Sequence, residues 1–152
     1  MARFTSRGIL MGRLDHGGDL LGQITAICRA ENIQMGRVEA IGAVSSARLG
    51  FYDQRKRQYE YFVSNQSLEI LSLIGNISMK DEAVMVHAHV ILSDENGDAF
   101  GGHLAEGTTV FACEYQIEIF DGPILRRAPD EQTGLPLWEG RKEAGSRSEQ
   151  GG

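Results

Sequence analysis

The sequence predicts an α+β domain, a mainly antiparallel β-sheet with one principal helix packed on it, and three observations carry that expectation. One segment, Leu20 to Cys28, repeats apolar residues at helical spacing. Nearly everything after it alternates or runs apolar over strand lengths between turn-forming residues. Nineteen glycines in 152 residues point to many tight turns and close backbone approaches. This length suits one domain with a real core. No internal repeat or linker divides it, so residues 1–139 are taken as a single domain. The polar, Gly/Ser-rich end "GRKEAGSRSEQGG", residues 140–152, is expected to be a disordered tail.

The elements follow in order. The first residues form a strand whose apolar members are Phe4, Ile9, Leu10 and Leu14. "DHGGDL" turns the chain into a helix, with Asp19 placing negative charge in its first turn, where the dipole favours it. Leu20, Leu21, Ile24, Ile27 and Cys28 make one buried stripe, and the helix ends near Glu31 or Asn32. "VEAIGAV" (38–44) and "SLEILSLIGNISM" (67–79) are nearly continuous apolar runs, as expected of strands covered on both faces. Between them, "ARLGFYD" and "YEYFVSN" flank the charged tip "QRKRQ" as a hairpin. "AVMVHAHVILS" and "TTVFACEYQIEIF" are long strands. In the second, Phe111, Cys113, Tyr115, Ile117 and Ile119 share one face, and Glu114, Gln116 and Glu118 the other.

The formal charge of -6 argues against general electrostatic binding of a polyanion, since no basic surplus exists to displace counterions. Cys28 and Cys113 lie far apart in apolar elements and read as buried thiols of a reducing compartment. "MARFTSRGILMGRLDHG" is interrupted by Arg3, Arg7 and Arg13 and lacks a secretory apolar core. No stretch has the apolar length to cross a bilayer. The expected location is the cytoplasm, with no membrane partner.

The chemistry concentrates in "HAHVILSDENGDAFGGH", residues 87–103, which holds three of the four histidines. In a strand, side chains at i and i+2 share a face about 6.6–7 Å apart, so His87 and His89 converge beside Met85 and Ile91. The place of His103 depends on the turn. A two-residue turn at Asn96-Gly97 would set it opposite Val90, on the wrong face. A three-residue loop, Glu95-Asn96-Gly97, pairs Asp94 with Asp98 and sets His103 opposite His89, with Gly97 as the αL residue that loop requires. Gly101-Gly102 could also host a bulge that shifts the register. We favour the three-residue loop. Three histidines leave a tetrahedral ion one open position, as in catalytic zinc, although imidazole also suits nickel, copper and iron. The bland alternative is a polar sheet face with His103 packed elsewhere.

With those residues in view, the chain resembles the plants-and-prokaryotes-conserved (PPC) domain, which stands alone in bacteria and archaea and is joined to AT-hook segments in plants. "RLDHGGDLLGQI", "AIGAV", "SLEILSLIGNIS" and "HAHVILSDENGDAFGGHL" come in the family's order and span roughly residues 7 to 128. The resemblance implies a large antiparallel sheet, a homotrimer, and a metal site at His87, His89 and His103. It implies no settled reaction, and a DNA-binding or regulatory protein and a non-catalytic structural or sensory module stand as alternatives to an open metal site. Stand-alone members are commonly described as DNA-binding by association with the plant proteins. This chain has no Arg-Gly-Arg-Pro hook and is acidic, so DNA is the less favoured partner. The expected cofactor is a divalent transition metal, zinc by preference, with a small ligand at its open position.

Other candidates carry plainer readings. Glu69 interrupts an apolar strand, which is expensive unless its carboxylate is paired or exposed; it is weighed as a residue that orients a ligand histidine against a solvent-facing position. Glu114 is weighed as a base against a solvated strand face. A nucleic-acid surface would use Arg55, Lys56 and Arg57 with Arg48, Arg126 and Arg127, whereas a soluble hairpin tip explains the cluster as well. His16 reads as a surface turn residue. Asp94, Glu95 and Asp98 lack EF-hand spacing. The glycines of "GDAFGGHLAEG" form no dinucleotide or Walker loop.

Overall fold

The structure, a computed structural model, describes residues 2–139. The expected tail, 140–152, lies outside the described residues. Among the described residues, nine strands and one helix follow in the order β1 (Thr5–Leu14), α1 (Leu20–Ala30), β2 (Gly36–Asp53), β3 (Gln58–Ser64), β4 (Leu68–Lys80), β5 (Ala83–Ser93), β6 (Ala99–Leu104), β7 (Thr109–Asp121), β8 (Arg126–Pro129) and β9 (Pro136–Trp138). All strands join one sheet, antiparallel throughout except for the short parallel pairing of β8 with β4. The α+β class expected from the pattern is the one observed.

The helix starts where Asp19 stops the extended chain. Asp19 is the residue before the first turn rather than a member of it, and its carboxylate accepts from the Gly22 N–H at 2.7 Å. Its other oxygen accepts from Gly107 N–H at 2.6 Å. The negative charge thus acts as a cap and ties the helix start to the loop before β7. Leu20, Ile24 and Cys28 are fully buried, with Leu21 and Ile27 packed at the margin of the core.

Strand β2 is the spine of the sheet. Its first half lies between β7 and β4, and its second half pairs with β3 and briefly with β6. Because β4, β5 and β6 also pair in sequence, strands β2, β4, β5 and β6 close into a ring. Inside lie Leu49, Leu73, Val90, Leu92 and Leu104, all essentially without solvent contact.

Two expectations need correction. The runs 38–44 and 67–79 are not covered on both faces within this chain: Ile41 is 58% exposed and Ile74 55%. One helix covers one face only, so the apolar residues of the opposite face have no cover among the described residues. In β7, Phe111 does not join Cys113 and Ile117 but is 58% exposed. Ala43 faces Ala112 while Val44 faces Val110, which leaves Phe111 as an extra residue at a bulge. The bulge gives Val110, not Phe111, the buried position.

Candidate metal centre

Strand β5 divides its side chains by parity. Val86, Ala88 and Val90 point into the core, and His87 and His89 stand on the outer face. The link to β6 is the three-residue loop expected from sequence. Asp94 and Asp98 are joined by a backbone bond of 3.2 Å, and Gly97, at φ +85°, donates to Asp94 O at 3.1 Å. The Asp94 carboxylate accepts from the Asn96 and Asp98 N–H groups at 2.8 and 3.0 Å. This loop sets the register in which His103 faces His89.

The three imidazoles come together. Each offers a nitrogen within 4.8 Å of the others, and ring centres are 5.0–5.5 Å apart. Zn–N bonds of 2.0–2.1 Å imply tetrahedral N···N spacings of about 3.3 Å, so the three rings draw closer together when they share an ion. Burial, then the neighbouring charges of His103, Arg127 and His89, push His87 down to about 4. Burial and His89 also lower His103. Both rings are therefore neutral near pH 7, the form that binds metal. The Nδ1 of His103 is buried and has no hydrogen-bond partner among the described residues. A buried polar atom left in that state costs about 1–3 kcal/mol, and coordination to an ion would relieve that cost. The donor set fits a transition ion.

Sequence reasoning missed two groups beside the cluster. Tyr59 of β3 lies against His103, ring centres 4.7 Å apart, and burial raises its pKa, keeping the phenol protonated. It reaches His103 because Gly50 stands between them: Gly50 faces His103 across β2 and β6, and a Cβ there would come within 3.1 Å of the Tyr59 and Tyr61 rings. Arg127 of β8 is the second. Its guanidinium donates to Ser78 Oγ (2.9 Å), Asn76 Oδ1 (2.6 Å) and Pro136 O (2.9 Å), and Asn76 is the cross-strand neighbour of His87. A tyrosine-rich hairpin and the C-terminal arginine pair were both legible, but neither had a spacing that linked it to the histidines.

The remaining candidates do not join the cluster. Glu69 and Glu114 are both solvent-facing. His16 sits in an exposed turn and meets Phe111 O at 2.8 Å. Four of the basic residues are engaged locally. Lys56 lies between Asp53 and Glu60, Arg48 stacks on Tyr61 at 3.9 Å, Arg57 donates to Glu131 O, and Arg126 pairs with Glu82.

Fold and site together define a small sheet protein with an outward-facing cluster of three imidazoles. The Plants and Prokaryotes Conserved (PCC) domain matches residues 1–121, and the chain belongs to that family. Among solved structures it is similar to a metal-containing protein from Archaeoglobus fulgidus, at 43% identity and a TM-score of 0.88, over 92% of this chain and 99% of that one. It is also similar to a plant- and prokaryote-conserved protein from Pyrococcus horikoshii, at 36% identity and a TM-score of 0.87, over 92% and 96% of the two chains. Among curated proteins, it is 34% identical over 125 residues to the bifunctional protein GlmU of a Synechococcus strain, which covers 80% of this chain and 18% of that protein. The chain thus spans under a fifth of the length of the curated relatives it matches.

Proposed function

We propose that the protein binds a divalent transition ion, zinc by preference, at His87, His89 and His103, and that it does so as a cytoplasmic homotrimer. The observation that carries the metal reading is the convergence of three imidazoles with the buried, partnerless Nδ1 of His103. The metal-containing relative from Archaeoglobus supports it. With three protein donors the ion keeps an open position for water or a small ligand. A zinc ion there would polarise a bound oxygen and lower the pKa of bound water towards ~7. The chain's part is to hold neutral imidazoles in register, shield them with Tyr59, and keep the phenol as a proton donor at the edge of the site.

The trimer is supported by the uncovered apolar positions of the outer face, Ile41, Leu71, Ile74 and Ile91, which a second copy would remove from water. Elemental analysis of untagged protein purified without added metal, beside His103→Ala, tests the metal. About one transition ion per chain, lost in the variant, is expected for a site of this type. Protein that neither holds nor takes up zinc overturns the reading. Light scattering tests the trimer, and a monomer at micromolar concentration overturns that part.

A further inference from the structure

The cavity beside the histidines changes character along its wall. It is open to solvent on one side and has a volume of about 1120 Å³. Phe4, Met35, Phe120, Leu125 and Trp138 give it an apolar side, which continues to Ile74, one of the outer-face positions proposed to meet a second copy. His87, His89 and Asn76 form a polar end, and Arg37 on the wall is paired with Glu39. That combination, hydrocarbon walls with a few convergent polar groups, is the usual form of a small-molecule pocket. Behind Asn76 lies Arg127, only 8% exposed. Its three hydrogen-bond partners, Ser78, Asn76 and the Pro136 carbonyl, are all neutral. No carboxylate pairs with it among the described residues; Glu139, at the cavity rim, is exposed to solvent.

A buried cation without a counter-charge is unfavourable. A divalent ion on neutral imidazoles would add further positive charge at the same end. The polar end therefore lacks an anion, and the rest of the wall calls for hydrocarbon. We infer that the cavity binds a small carboxylic acid, with its hydrocarbon part against Phe4, Phe120 and Trp138 and its carboxylate at the histidine end, where the metal and Arg127 supply the positive field. The singly charged carboxylate suits these walls better than a phosphate ester, whose second charge would also need desolvation. Arg127 is a positioning residue here, acting at short range through Asn76, and Trp138, which lies over its guanidinium at 5.5 Å, shields it from water. The inference rests on the metal reading.

The test is calorimetric titration of the metal-loaded full chain with phenylacetate, acetate, benzyl alcohol and phenyl phosphate, with metal content measured on the same samples. Phenylacetate is expected to bind at least about tenfold more tightly than each of the other three, a tenfold step corresponding to about 1.4 kcal/mol. Arg127→Gln should weaken phenylacetate by about tenfold or more, as loss of a charge-assisted interaction does, leave benzyl alcohol unchanged and keep the metal. Arg127→Lys should restore part of the loss. Trp138→Ala, which leaves the guanidinium's hydrogen bonds in place, should reduce the preference for phenylacetate over acetate. Metal present with no preference for phenylacetate, or an Arg127→Gln loss equal for charged and neutral probes, overturns this inference alone. Tighter binding of phenyl phosphate overturns the carboxylate assignment. Absence of metal from the loaded protein overturns the metal reading and this inference with it.

Discussion

The two faces of strand β5 differ by one residue of phase and by everything else. Val86, Ala88, Val90 and Leu92 face the ring of strands and are almost free of solvent, whereas His87, His89 and Ile91 face outward, two of them exposed. The inner face is finished within the chain, since every apolar group there has apolar neighbours. The outer face is unfinished. It carries a buried nitrogen without a partner and large apolar side chains in water. Stability is therefore invested in one parity of the strand, and the candidate metal ligands stand on the other.

Substitutions that respect this division sharpen it. The largest effect belongs to the inner face: Leu92→Ala should destabilise the protein by about 2–5 kcal/mol through lost burial and a residual cavity. Metal content per folded chain should persist, as chemical denaturation and elemental analysis would show. Equal loss of metal and stability would break the separation of the faces.

On the outer face the effects fall on binding instead. In His103→Ala the added stabilisation by zinc, which chelation removes from the wild type, should vanish. Unfolding midpoints with and without chelator would then coincide. Ile41→Ser and Ile74→Ser should change the stability of the single chain by no more than about 0.5 kcal/mol, yet shift the assembly towards monomer by light scattering. An unchanged assembly would place the contact between copies elsewhere.

A smaller effect is expected from pH in chelator-treated protein. The folded state holds His87 down at about 4 against an ordinary value of 6.5, so between these values the unfolded chain binds more protons than the folded one. The stability this provides is fully present above 6.5 and falls as the pH drops towards 4. The difference between wild type and His87→Gln should shrink across that window; a difference that stays constant would mean that His87 titrates freely. Least of all, Gly50→Ala should leave the core intact but push the Tyr59 and Tyr61 rings, 3.1 Å from the new methyl carbon, away from His103. Tyrosine fluorescence and zinc affinity would report the shift together.

Much of this was legible. The 3.6-residue stripe of α1, the parity of β5 and the loop residues Asp94 and Gly97 each act through local geometry. The position of His103 opposite His89 followed from a choice between two loop lengths. Asp19 was legible as a helix-start signal and displaced by one position, because the first turn and its cap both favour an acid. The bulge at Phe111 was not legible, since a single extra residue in one strand is defined only by its partner strand. Tyr59 and Arg127 were invisible as site residues for the same reason: β3 and β8 reach the histidines through pairings with β2 and β4 that no spacing along the chain encodes.

By itself, the sequence determined what depends on neighbours along the chain: the single helix and its apolar stripe, the long strands, the parity of β5, the hairpin loop that sets its register, and the three imidazoles as candidate ligands. Only the tertiary structure decided which distant groups surround them. It brought Tyr59 across Gly50 and buried Arg127 against Ser78 and Asn76 without a counter-charge. It also left one face of the sheet open, because a single helix can cover only one side. Periodicity records which way a side chain points, and only the closed chain fixes what it meets.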